Sequence, residues 1–190
     1  MRKYLLLSAF LVTTATGFAQ TTWKADPFHS RLGFTVTHLG INDVPGHFGD
    51  YEVTITSAKP DFSDAVVELS AQTATINTRV EARDKHLKSA DFFDVEKFPT
   101  MSFKSTSIKK DGKNKYKLSG PLTMHGVTKL VTVTMQYRGT ANNPAAKTDA
   151  AGIQITGIIN RADFGIGAGF PPPMISNQVN IIADGEFNKK

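Results

Sequence analysis

From Thr35 to Phe187 the chain alternates apolar and polar residues in one short run after another. Phe34, Val36 and His38 alternate with Thr35 and Thr37, and Tyr51, Val53 and Ile55 with Glu52, Thr54 and Thr56. Val67, Leu69 and Ala71 share a phase, as do Met101 and Phe103. So do Tyr116, Leu118, Leu122 and Met124, then Val131, Val133, Met135 and Tyr137. Ile153, Ile155 and Ile159 follow, and Val179 and Ile181 close the series. Side chains point to opposite faces of a strand with period two, so each run offers one face to an apolar interior and one to water. The pattern predicts roughly eight strands. So many in one short chain imply an all-β fold, an antiparallel barrel closed or nearly closed, of a size that can hold a ligand.

The turns agree. Asp111-Gly112 is a hairpin signal, because tight primed turns need a positive φ that Gly and Asp tolerate. His125-Gly126 sits between two further runs and predicts a second hairpin, making Thr100 to Thr140 an antiparallel meander. Asn142-Asn143-Pro144 starts a polar loop. Thr78-Arg79-Val80-Glu81 has the form of a capping box, and Glu81 precedes Lys85 as Asp84 precedes Lys88 at helical spacing. One short helix is therefore predicted near residues 79–90, too charged for the core and lying across the barrel surface. The segment from Gly165 to Ile175 is rich in Gly and Pro yet apolar, so it should cover something: a barrel end, a dimer contact, or the portal of an apolar ligand.

The N-terminus changes the compartment. Arg2 and Lys3, the apolar run Leu5 to Val12, and Gly17-Phe18-Ala19 together read as a signal peptide over residues 1–19. The run is too short for a membrane span. Residues 20–190 then form a single exported domain. Removing Arg2 and Lys3 from 22 basic residues leaves 20 against 17 acidic ones, a mild +3. Lys109, Lys110, Lys113, Lys115 and Lys117 crowd one hairpin without interleaved aromatics, which argues against nucleic acid and allows at most peripheral contact with an acidic membrane surface. With no cysteine, neither a disulfide nor a thiol-metal site is available.

Candidate chemistry is sparse. None of His29, His38, His47, His86 and His125 forms a closely spaced ligand pair, although the first three could converge in a barrel on a metal or in a redox-associated role. No nucleophile elbow, zinc-protease helix or phosphate loop is present, and Asp91, Asp94 and Glu96 beside Lys88 and Lys97 suit a solvated turn better than a carboxylate pair. The chain is therefore expected not to be an enzyme, and no metal or cofactor is assigned. An outer-membrane barrel would also alternate, but it calls for aromatic girdles that are lacking here.

Six segments resemble the YceI-like family in order. They are Trp23 to Ser30 with Phe34 to His38, Val44 to Phe48, Arg83 to Leu87 with Asp91 to Asp94, Phe98 to Phe103, Gly120 to Thr128, and Ile159 to Gly165. The resemblance implies a lipocalin-like barrel in the periplasm that holds a polyisoprenoid or similar long-chain amphiphile, such as an isoprenoid quinone. Its role would be transport, storage or sequestration, and homodimers are within its range. On that reading, phase nominates Phe34, Val36, Leu122, Met124, Val133, Met135, Ile155 and Ile181 as tail contacts. His38, His125 and Arg161 are candidates for a polar head, and Phe92, Phe93 and Phe170 for closing the mouth.

Overall fold

The computed structural model describes residues 19–190, so the leader expected over 1–19 lies outside the described residues except for Ala19. The strands are β1 (Thr21–His38), β2 (Asn42–Phe48), β3 (Tyr51–Ser57), β4 (Val66–Gln72), β5 (Ile76–Asn77), β6 (Thr100–Lys104), β7 (Ser107–Lys110), β8 (Lys115–Met124), β9 (Val127–Asn143), β10 (Thr148–Asn160) and β11 (Ile175–Lys189). One α-helix, α1, spans Glu81–Lys88. Neighbours run β1-β3-β4-β6-β8-β9-β10-β11, and β11 pairs back to β1. The result is the expected closed antiparallel barrel of eight strands, with β2 and β5 as a short extension on the upper half of β1.

Both hairpins form. His125 and Gly126 take φ of 52° and 72°, the left-handed pair a two-residue primed turn demands, and join Met124 to Val127. The meander has a break that alternation did not announce. β6 and β7 both pair with β8, but Ser102 opposes Thr123 whereas Ser107 opposes Ser119, a slip of one residue at Ser105-Thr106. They are one strand interrupted by a bulge. Gly120 sits against it, where a Cβ would lie 2.1 Å from the carbonyl oxygen of Lys104.

The apolar phase faces inward and the polar phase outward. Val53, Ile55, Val67, Leu118 and Val133 are buried, while Lys104 and Glu68 pair on the outer wall at 3.0 Å. A barrel spanning a membrane presents the opposite faces. Among the described residues no helix is long and apolar enough to cross a bilayer.

One end is plugged by the β3–β4 loop. Phe62, with φ 59°, turns inward to pack at 5.3 Å from the ring of Trp23 and 4.9 Å from that of Tyr137. The Tyr116 hydroxyl donates to the Asp61 carbonyl at 2.7 Å. The other end is covered by α1 and by the Gly165–Ile175 segment, whose Ile166 is buried. The helix starts later than its sequence suggests. Thr78 is not its cap; Val80 is, without a side-chain hydrogen bond. Instead Arg79 turns the chain at φ 66°, and the hydroxyl and N–H of Thr78 both donate to Asp84, which is drawn back rather than forward to Lys88. Arg83 completes the knot, its Nε donating to the Thr78 hydroxyl at 2.7 Å and its Nη2 to the Thr78 carbonyl at 2.8 Å.

Candidate ligand-binding site

Between plug and cover lies a cavity of about 810 Å³, within the range of small-molecule sites. Its wall is the inward phase of the barrel, from Leu32, Phe34 and Val36 on β1 round to Val179 and Ile181 on β11. Most lining side chains are aliphatic or aromatic. The few polar ones include His38, Asn42, Tyr51, Thr78, Arg83 and His86.

The cover is built from the two stretches that break the β pattern. Ala82, Arg83, His86 and Leu87 turn one side of α1 to the cavity, which is why a helix so charged remains seated there. Phe92 stacks on Phe170, and His86 meets both rings edge-on at 5.0 and 5.2 Å. His86 Nε2 lies 3.0 Å from an Asp91 carboxylate oxygen, and the Gly167 N–H donates to the Asp91 carbonyl at 3.0 Å. Around this cover the apolar surface continues outward: Val80 and Met174 line the cavity yet are about half exposed, and the Leu39 N–H donates to the Met174 carbonyl at 3.1 Å.

Arg161 holds the cover's far half in place. It is buried, and its guanidinium donates only to carbonyls: Nε to Ser176, Nη1 to Ile166 and Gly167, Nη2 to Phe170 and Ile175. Those contacts engage all five of its N–H groups. Burial pulls its pKa below the usual guanidinium value. Its sequence neighbour Asp163 is not its partner and accepts instead from the Asn160 amide at 3.0 Å.

Twelve of the fourteen nominated residues line the cavity: Phe34, Val36, His38, Phe92, Phe93, Leu122, Met124, Val133, Ile155, Arg161, Phe170 and Ile181. Two do not. Met135 is fully buried below the cavity, opposite Tyr116 in the plug layer, because strand phase fixes the face but not the depth. His125 sits in the β8–β9 turn, where Nδ1 hydrogen-bonds the Phe164 carbonyl at 2.9 Å and the ring packs on Phe98 at 4.8 Å. Arg161 reaches the wall, but with every donor engaged it is a brace rather than a head-group ligand. His38 stands exposed at the open end of β1. Sequence reasoning passed over Tyr51 and Leu87; the first was visible in phase with Val53 and Ile55, and the second shares a helical face with Arg83.

His29, His38 and His47, which a barrel could have brought together, do not share a cluster among the described residues. Among the described residues, Asp26, His29 and Glu186 bring ligand-type atoms within 4.8 Å of one another, without His38 or His47. They lie at a bulge where Asp26 to His29 face Glu186 alone, between the pairs Ala25–Phe187 and Ser30–Gly185. The Phe28 N–H and then His29 hold the Asp26 carboxyl below its ordinary range, and Asp26 raises the His29 imidazole in return.

A closed β-barrel with a plugged base, a covered mouth and an apolar lumen has the form of barrels that can enclose a small ligand. The YceI-like domain model matches residues 23–187, and the chain belongs to that family, as the six segments had suggested. A UPF0312 protein of Staphylococcus aureus is 34% identical over 146 residues, covering 77% of this chain and 82% of the relative. Among solved structures, a Campylobacter jejuni YCEI protein superposes with a TM-score of 0.73 at 27% identity, covering 100% of this chain and 99% of that one. A polyisoprenoid-binding domain from Saccharophagus degradans, implicated in plant cell wall breakdown, shares the fold at a TM-score of 0.66 and 15% identity, covering 92% of this chain and all of that one.

Proposed function

We propose that this protein is a binding protein, not an enzyme, which holds a polyisoprenoid or similar long-chain amphiphile in the barrel lumen for transport, storage or sequestration in the periplasm. The observation that carries this reading is the cavity of about 810 Å³ with an almost wholly apolar wall. Each methylene transferred from water into such a lumen contributes roughly 0.8 kcal/mol, so a chain of isoprene units gains affinity without special chemistry. The polar residues near the mouth leave room for a head group there. The polyisoprenoid binding named for the Saccharophagus domain supports the same class of ligand, and the leader read in residues 1–19 supports export.

The test is to purify the exported chain from a bacterial host, extract it with organic solvent and identify the released lipid by mass spectrometry. One isoprenoid class at near one per chain is expected, with Phe34→Arg reducing retention because it sets a charge in the wall. A chain that carries no lipid, and takes up no added C20 isoprenyl alcohol, would refute the reading.

A further inference from the structure

Among the described residues, the phenol oxygen of Tyr51 is the buried side-chain polar atom without a hydrogen-bond partner. Its neighbours in kind are all matched. Ser57 donates to Asp64, Thr73 to the Phe98 carbonyl, Thr78 to Asp84, and Ser105 accepts from the Val67 N–H. Even the five donors of Arg161 each find a carbonyl. Leaving a buried hydroxyl unpaired disfavours the fold, and phenylalanine would supply the same ring without that penalty.

Position gives the orphan a direction. Tyr51 lines the cavity, in phase with Val53 and Ile55. It is the first residue of β3, whose other end, Ser57, pairs with Thr21 beside the plug, so Tyr51 stands on the mouth side of the wall. Ala71 opposes it across β4, a small side chain beside a large ring.

We propose that Tyr51 is the donor that recognises an oxygen atom of the ligand, its hydroxyl turning toward the lumen on binding, and that the ligand is an oxygenated isoprenoid rather than a hydrocarbon. The inference rests on the lipid-binding reading and adds to it where the oxygen sits: near the mouth, with the chain running toward Phe62. Burial raises the phenol above its ordinary pKa, so it stays protonated and donates at neutral pH. Alcohol, quinone carbonyl and phosphate oxygens share the acceptor chemistry that such a donor requires.

The experiment compares delipidated wild type with Tyr51→Phe. Binding of geranylgeraniol, geranylgeranyl phosphate, a short-chain isoprenoid quinone and squalene is measured by displacement of a fluorescent probe. The variant should bind squalene as wild type does and lose about 2- to 13-fold for at least one oxygenated probe, the range of one net hydrogen bond. The probe that loses most names the head group. The ligand-free variant should melt at or above the wild-type temperature, since an unpaired hydroxyl has gone. Unchanged affinity for every oxygenated probe would overturn the assignment. So would a lower melting temperature with squalene affinity falling in parallel, which marks a structural tyrosine. Wild type that binds none of the probes, squalene included, would overturn the lipid reading itself and this inference with it.

Discussion

The rings of Phe92 and Phe170 stack with centroids 5.0 Å apart and planes 22° from parallel, and this contact joins the two halves of the mouth cover. Phe92 follows α1 and Phe170 lies in the Gly165–Ile175 segment, far apart in sequence. Stacked aromatic pairs contribute about 0.5–1.5 kcal/mol beyond the area they bury. Phe170→Ala should therefore leave the barrel folded, lower stability by about 2–3 kcal/mol from lost stacking and burial of a half-buried ring, and speed release of a bound fluorescent fatty probe about tenfold in stopped flow. An unchanged release rate would mean that ligand leaves by another route.

Arg161 should matter more to the fold than its charge suggests. Arg161→Met removes a donor from the carbonyls of Ile166, Gly167, Phe170, Ile175 and Ser176, the first two contacts buried and the others part-buried, while Gly167 keeps a second donor, the Phe170 N–H. A loss of about 3 kcal/mol is expected in urea unfolding, with Arg161→Lys rescuing little because an ammonium cannot span the same five-donor fork. If Arg161→Lys unfolds at the wild-type midpoint, the fork geometry is not what holds the segment.

Alternation made the barrel legible because a strand with one wet and one dry face has little other choice of pattern. It nominated Phe34, Val36 and Val133 on the correct face for the same reason. It misplaced Met135, since phase carries no depth and the plug depends on Phe62, a loop residue with no periodic neighbours. Thr78-Arg79-Val80-Glu81 looked like a cap, but tertiary context bound Thr78 to Asp84 and Arg83 instead. The inward face of α1 was hidden by its charge, because Arg83 and His86 reach the cavity edge alongside Ala82 and Leu87. The Gly165–Ile175 segment was recognised as a cover from its composition, while the residue that braces it, Arg161, was read as a ligand because engaged donors are invisible in a sequence.

Gly120 tests the bulge between β6 and β7. A methyl group there would meet the Lys104 carbonyl oxygen and the Ser105 Cα, backbone atoms that cannot swing aside. Gly120→Ala should cost about 2–3 kcal/mol, the scale of overpacking in a closed interior. Gly152→Ala, whose Cβ would find only ordinary contact at 3.4 Å with the Arg138 side chain, serves as the control and should stay within about 1 kcal/mol of wild type. Equal midpoints for the two variants in urea would contradict the close approach at Gly120.

The plug should loosen in acid. Asp64 sits in the loop that carries Phe62; burial pushes its carboxyl up, but the Ser57 hydroxyl and the N–H groups of Ala58 and Lys59 outweigh this and hold it below the ordinary value. A carboxylate depressed in the folded state contributes stability that is present above its unfolded pKa of about 3.9 and is lost as pH falls through the lower folded value. Wild type should therefore lose stability below about pH 4, while Asp64→Asn, already weaker at pH 7, should show a shallower decline over that interval. The sole tryptophan reports the event, because Trp23 packs against Phe62 at 5.3 Å and its emission should shift to the red as the loop withdraws. Parallel acid profiles for the two proteins would assign the acid sensitivity to other carboxylates.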